Sequence, residues 1–394
     1  MDFIYERIGE IIGQLKELAY PVRQEIEQWK GKEGHFPVTD CLEVKTHDWP
    51  AADPAKLGSS KGAWFGLCTE IVIPKEMEGG SLELFISTGR EGEWDATNPQ
   101  MAAYVDGQLA QGLDVNHRSI YLGEEKRAGE HLTVFLSVYT GEEGSVREWH
   151  SSLRMKDKAV YEFYYDCLVP WKCLELMEED SREYGELLGI LNRTVNCLDM
   201  RKTDSREFAE SIRRASEELR RQTEKLPASP VTVSCVGHTH IDVAWLWTLE
   251  ITREKAARSF STVFKLMERY PEYLFMSSQP QLYMYVRENQ PELYKKIKKR
   301  AEEGRWEPEG AMFLEADCNL TSGESLVRQC LYGKMFFREE FGADSRILWL
   351  PDVFGYSAAL PQIMEKCGID SFMTTKISWN ETNKIPFDTF WWEG

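Results

Sequence analysis

From residue 231 onward the chain alternates short apolar runs with amphipathic stretches, and this alternation restricts the fold more than any other feature of its 394 residues. Strands are expected at Val231–Val236, Tyr273–Ser277, Trp306–Met312, Ile347–Leu350 and Ser371–Thr375. Between them, apolar residues at helical spacing predict helices over Arg253–Arg269, Pro280–Glu303, Ser322–Phe341 and Ala358–Cys367. Strands joined through helices pair in parallel, and their ligand sites lie beyond the carboxyl ends of the strands. A closed eight-fold barrel takes about 250 residues. The stretch 231–394 is much shorter, so the front part of a barrel within a longer polypeptide is expected.

Upstream the pattern changes. Alternating or β-branched runs at Cys68–Pro74, Ser81–Thr88 and His131–Tyr139 are separated by turn signals, among them Asp106-Gly107, which suits a type I′ hairpin. They predict an antiparallel β-sandwich over 49–170. A helical and extended segment, 1–48, precedes it, and Met1–Ala19 carries charges throughout, as an amphipathic helix does and a signal peptide does not. Leu187, Leu188, Leu191 and Val195, with the Arg/Glu-rich run Ser205–Glu224, predict a helical connector over 171–230 that ends in the proline-bearing Lys225–Pro230. The fold class is therefore multidomain: an N-terminal antiparallel β-sandwich with helices, then a truncated (β/α) barrel-like parallel-sheet catalytic domain over 231–394.

Charge narrows the partners. Acidic residues outnumber basic ones 65 to 47, and the resulting net charge of −18 repels phosphate backbones and anionic lipid, which argues against nucleic acid and membrane. No run reaches the roughly 20 apolar residues of a membrane span. Nine cysteines without a C-x-x-C pair fit reduced thiols and a cytoplasmic protein. A homo-oligomer is left open.

The chemistry concentrates after two of the expected strands. His238, His240 and Asp242 alternate in H-x-H-x-D, and extended geometry would aim all three to one side. Imidazole and carboxylate would then converge as a divalent ion such as zinc requires, the structural alternative being a capped strand end. Asp352 follows another strand. Alone it suits a helix N-cap, and beside the first motif it suits a third group on the same crevice.

The strings HTHIDVAW (His238–Trp245), EADCN (Glu315–Asn319) with GESLVRQ (Gly323–Gln329), WLPDVFGY (Trp349–Tyr356) and TKISWN (Thr375–Asn380) resemble, in order, the glycoside hydrolase family 38 α-mannosidases. The similarity is to cytosolic-type and bacterial members, which carry an extra N-terminal region that GQLAQGLDVNH (Gly107–His117) resembles. The resemblance implies a retaining exo-α-mannosidase acting on mannose-containing oligosaccharides, with one zinc ion that binds the 2- and 3-hydroxyls of the terminal sugar. It implies His240, Asp242 and Asp352 as metal ligands, Asp352 also as catalytic nucleophile, and His238 in a supporting role. Trp245, Phe354, Lys376 and Asp317 are the implied substrate contacts, with Glu315 as a supporting or substrate group. No histidine follows His240, so the fourth zinc ligand and the acid/base group are expected beyond Gly394, and the 394 residues alone are expected to be inactive. Two other functions stay open: a metal-dependent amidohydrolase or deacetylase, whose site calls for further histidines on later strands, and a non-catalytic carbohydrate-binding protein.

Overall fold

The computed structural model describes residues 3–227 and 231–394. Two antiparallel sheets occupy the first part. One has the order β1 (Val22–Glu25), β10 (His150–Lys156), β5 (Ser81–Ser87), β8 (Ser119–Gly123). The other runs β3 (Ala51–Ala52), β2 (Trp29–Glu33), β4 (Trp64–Val72), β9 (His131–Tyr139), β6 (Gln100–Val105), β7 (Gln108–Leu113). Leu82, Leu84, Ile86 and Leu153 of the first sheet share one apolar core with Leu67, Ile71, Val134 and Leu136 of the second. Asp106 and Gly107, with φ of 50° and 76°, close the β6–β7 hairpin, as two positive φ angles in a two-residue loop require. Patterning put residues 22–33 ahead of the sandwich, yet they give a strand to each sheet, and 158–170 is helical.

Helices α1 (Ile4–Leu18), α3 (Lys158–Cys173), α4 (Arg182–Val195) and α5 (Arg206–Thr223) form a second core through Ile8, Phe163, Leu191 and Ile212, while α2 (Pro54–Leu57) is a single turn. Asp157, Ser181 and Ser205 accept backbone N–H bonds at the starts of α3, α4 and α5, which fixes where each begins. Met1 and Asp2 of the expected first helix, and residues 228–230 of the expected Lys225–Pro230 break, lie outside the described residues.

In the second part the strands pair in parallel. β11 (Gly237–His238), β12 (Phe275–Ser277) and β13 (Trp306–Pro308) form one ladder and β14 (Ile347–Trp349) with β15 (Ser371–Met373) another, with a parallel bridge between Gly310 and Leu348. Between them run α6 (Leu249–Arg269), α7 (Pro280–Asn289), α8 (Pro291–Glu302), α9 (Gly323–Phe341) and α10 (Leu360–Lys366). The strand expected at Val231–Val236 is confined to Gly237–His238. Val233 and Val236 are exposed by 75 and 48 %, and a β-branched run becomes a strand only where neighbours pair and cover it. The helix expected across Pro280–Glu303 breaks at Gln290 (φ −134°, ψ 66°), because the ring of Pro291 keeps the preceding residue out of helical geometry. Helix α6 lies on β7 so closely that a Cβ at Gly112 would stand 2.7 Å from that of Arg258. Among the described residues no helix is long and apolar enough to cross a membrane.

Candidate metal centre and active site

Strand β11 ends at His238, and the loop beyond it separates the two histidines. His238 donates from Nδ1 to the Met276 carbonyl (3.1 Å) and accepts at Nε2 from the Trp349 indole (3.1 Å), which ties β11 to its neighbours. Burial pushes its pKa down, so it serves as a neutral linker. Strict alternation would have aimed it at the same side as His240. The strand stops before alternation applies, and His238 stays out of the acidic cluster.

His240 turns the other way. Its Nε2 lies 3.2 Å from Asp242 Oδ1 and 3.6 Å from Asp352 Oδ2, and donor atoms of the three residues all fall within 4.8 Å of one another. Its Nδ1 lies 2.6 Å from Glu315 Oε2, an ion-pair contact without an in-line hydrogen bond. Burial opposes a charge on His240, but the carboxylates of Asp242 and Glu315 outweigh it and push the pKa up to about 10. The Glu315 side chain is itself buried and accepts a hydrogen bond from Ser278 Oγ (2.8 Å) at its other oxygen. One imidazole face thus meets a fixed carboxylate while the other looks at two carboxylates in the crevice, the arrangement that orients a histidine towards a metal.

The loops bearing these groups are locked from outside the cluster. Gln279, buried and with φ of 64°, donates to the Ile241 carbonyl (2.9 Å) and accepts from the Glu315 backbone N–H (3.3 Å). Ala244 (φ 72°) and Ala311 (φ 61°) also follow strand ends, and such left-handed non-glycine residues persist only where the surroundings hold them. Tyr356 reaches the carbonyls of Leu350 (3.1 Å) and Val353 (2.7 Å), and Thr375 that of Pro351 (2.7 Å), so Asp352 sits in a braced turn. It caps no helix, since α10 starts only at Leu360.

Lys376 pairs with Asp352 Oδ1, its ammonium 3.7 Å above the Trp379 ring and 5.1 Å above Phe354. Phe354 and Trp245 have 76 and 52 % of their surface exposed. Asp317 is not gathered with them: it is exposed and accepts from the backbone N–H groups of Asn319 (2.9 Å) and Leu320 (2.6 Å) in its own turn. Sequence reasoning missed Gln279 and Lys255. Lys255 holds its ammonium 4.2 Å over Trp247, and burial, with Arg258 nearby, pushes its pKa down to about 7. The signal available for Gln279 was a polar residue between a strand and Pro280, where no side chain needs to be buried.

Residues 230–394 match the family described as Glycosyl hydrolases family 38 N-terminal domain. The chain is 37 % identical to Alpha-mannosidase G of Dictyostelium discoideum over 69 % of its own length and 26 % of the relative's. It is 34 % identical to Alpha-mannosidase 2C1 of Mus musculus over 86 % and 34 %, and 44 % identical to Alpha-mannosidase of Saccharomyces cerevisiae over 40 % and 15 %. It spans a quarter to a third of the length of the first two.

Proposed function

Over residues 230–394 the chain belongs to glycoside hydrolase family 38, and given that membership we propose that it carries the nucleophile and metal-binding side of a retaining exo-α-mannosidase. In this reading 231–394 is the front of a (β/α) barrel catalytic domain, set behind the two-sheet sandwich, which includes β1 and β2, and the helices α1 and α3–α5. The observation that carries it is the convergence of His240, Asp242 and Asp352 from separate strand ends, with Glu315 behind the imidazole.

The donor set fits a divalent ion. One imidazole nitrogen and two carboxylates make the mixed N/O set that zinc accepts, and the orienting carboxylate behind His240 is what such a ligand needs. Held there, zinc supplies Lewis-acid binding of two vicinal hydroxyls, the 2- and 3-hydroxyls that mannose presents on one side. The chain's own groups do the rest. Trp245 and Phe354 offer apolar faces to the sugar's C–H patches and exclude water. Lys376 fixes the orientation of the Asp352 carboxylate, which attacks the anomeric carbon as the glycosidic C–O bond breaks, giving a covalent glycosyl-enzyme that water then hydrolyses. Protonation of the leaving oxygen falls to an acid that we assign, with the fourth metal ligand, to the part of the relatives' length that this chain does not span. Asp317 is proposed to reach only the outer part of a bound glycan. The described cysteines are all free, which supports a cytoplasmic setting.

The test uses the full-length protein and an aryl α-mannoside. Asp352→Asn is expected to lower turnover by at least about a thousandfold, since it removes the group that forms the intermediate. His240→Ala combined with Asp242→Ala is expected to leave no stoichiometric zinc in elemental analysis. Undiminished turnover in the first variant, or full zinc in the second, overturns the assignment.

A further inference from the structure

We propose that the sandwich loop 94–98 is the outer wall of the active-site crevice, and that Trp94 is the platform for the sugar on the leaving-group side of the cleaved bond. This rests on the reading of the crevice as an exo-acting α-mannosidase site. Trp94 precedes the short turn Asp95–Thr97, and 56 % of its surface is exposed. Its ring meets that of Trp245 edge to face, with centroids 5.2 Å apart and planes at 67°. Trp245 stands three residues after Asp242 in the loop that carries the metal-facing groups and is itself half exposed. Two half-exposed tryptophan rings therefore meet edge to face, one from the sandwich and one from the site, and their uncovered surface suits burial against sugar C–H groups.

The loop is held in place from below. Buried Asn98 donates to the Trp94 carbonyl (2.6 Å), and Gln100 donates to the carbonyls of Asp95 (3.1 Å) and Ala96 (3.3 Å). The other end of the Gln100 amide accepts from Arg258 of α6, the helix that leaves the metal-facing loop. Arg258 is buried and also pairs with Glu254 (3.6 Å), whose carboxylate accepts from His35 Nε2–H at 2.7 Å. A polar network thus fixes the loop to the helix next to the site, which holds Trp94 in register with Trp245. An incidental surface tryptophan would need no such bracing.

The position also decides which sugar it meets. In an exo-acting site the terminal mannose occupies the metal-facing groups, and every other unit of the glycan lies on the leaving-group side. Trp94 meets Trp245 from the sandwich side, and in this proposal the second unit is set against it. The ligand class is a neutral oligosaccharide of at least two mannose units.

The test compares two substrates of the full-length protein. α-Mannosyl fluoride has a leaving group too small to reach Trp94, whereas a linear α-mannotriose places a sugar over it. In Trp94→Ala the ratio of kcat/KM for mannotriose to that for the fluoride is expected to fall about tenfold, mainly through KM, and Trp94→Phe is expected to restore most of it. An unchanged ratio overturns the proposal, as do equal losses on both substrates. If the unaltered protein cleaves neither substrate, the mannosidase reading fails first. Mannotriose binding, followed by tryptophan fluorescence, then decides the platform: binding weakened by Trp94→Ala supports it, and binding that is absent or unaffected overturns it.

Discussion

Glu315 touches the crevice only through His240, yet the orientation of the cluster depends on it. With Oε1 held by Ser278 and Oε2 2.6 Å from His240 Nδ1, it leaves Nε2 as the nitrogen that faces Asp242 and Asp352. Removing the charge while keeping the shape isolates that role. Glu315→Gln is expected to weaken zinc binding by about 10- to 100-fold in chelator competition, with the unfolding midpoint of the metal-free protein shifted little. Equal affinity in the two proteins sinks the orienting role, and a large loss of metal-free stability reassigns Glu315 to the core. His240, Asp242 and Asp352 could be picked together only through the family resemblance, since spacing alone aimed His238 to the same side and position alone suited Asp352 as a helix N-cap. Which nitrogen of His240 faces which carboxylate could not be, since it depends on where the loop after β13 returns, and the bond from the Glu315 N–H to Gln279, as distinct from the place of Gln279 before Pro280, was hidden for the same reason.

Local rules also explain which elements matched their sequence pattern. Asp106-Gly107 demanded a hairpin and made one, and Ser322 begins α9 through its bond to the Ser325 N–H (3.2 Å). Strand lengths turned instead on neighbours, and the α7–α8 break that Pro291 sets is also held by one: Gln290 is buried with its amide on the Val38 carbonyl, a partner some 250 positions away. The segment 34–42 that supplies Val38 also carries His35, whose Nε2 meets Glu254 of α6 at 2.7 Å. The bond to Glu254 raises the His35 pKa, against the opposing effect of burial. A raised folded-state pKa means that the folded protein prefers the protonated form, so this stabilisation is complete below about pH 6.5 and is lost as pH rises through the folded value. The difference in denaturant midpoint between the unaltered protein and His35→Gln should therefore be largest below about pH 6.5 and shrink as pH rises above it. The Asp114–His117 pair titrates in both proteins and cancels in the comparison. A difference that grows with pH rejects the assignment.

The same strap makes the sandwich and the parallel ladders one body rather than a module tethered to an enzyme. Asp40 accepts from the Glu292 (2.7 Å) and Leu293 (3.0 Å) backbone N–H groups and so caps α8 from outside its own part of the chain. Ala257 of α6 is buried in one cluster with Val38, Ala102, Tyr104 and Phe135, and Gly112 has no side chain where Arg258 passes. Apolar burial, a helix cap supplied across the contact, the bond from Arg258 to Gln100 and the His35–Glu254 pair make separation expensive, because each polar partner would be left without its mate. If a protease site is engineered at residues 228–230 and cut in the folded full-length protein, the two pieces are expected to co-elute in gel filtration at micromolar concentration and to part only in denaturant. Separation under native conditions would mean that the strap and α6 contribute little, and the bracing of Trp94 against Trp245 would lose its support. Co-elution in the unaltered protein, with separation after Gly112→Leu, would locate the hold at the α6–β7 contact, since a leucine there cannot fit without moving the helix.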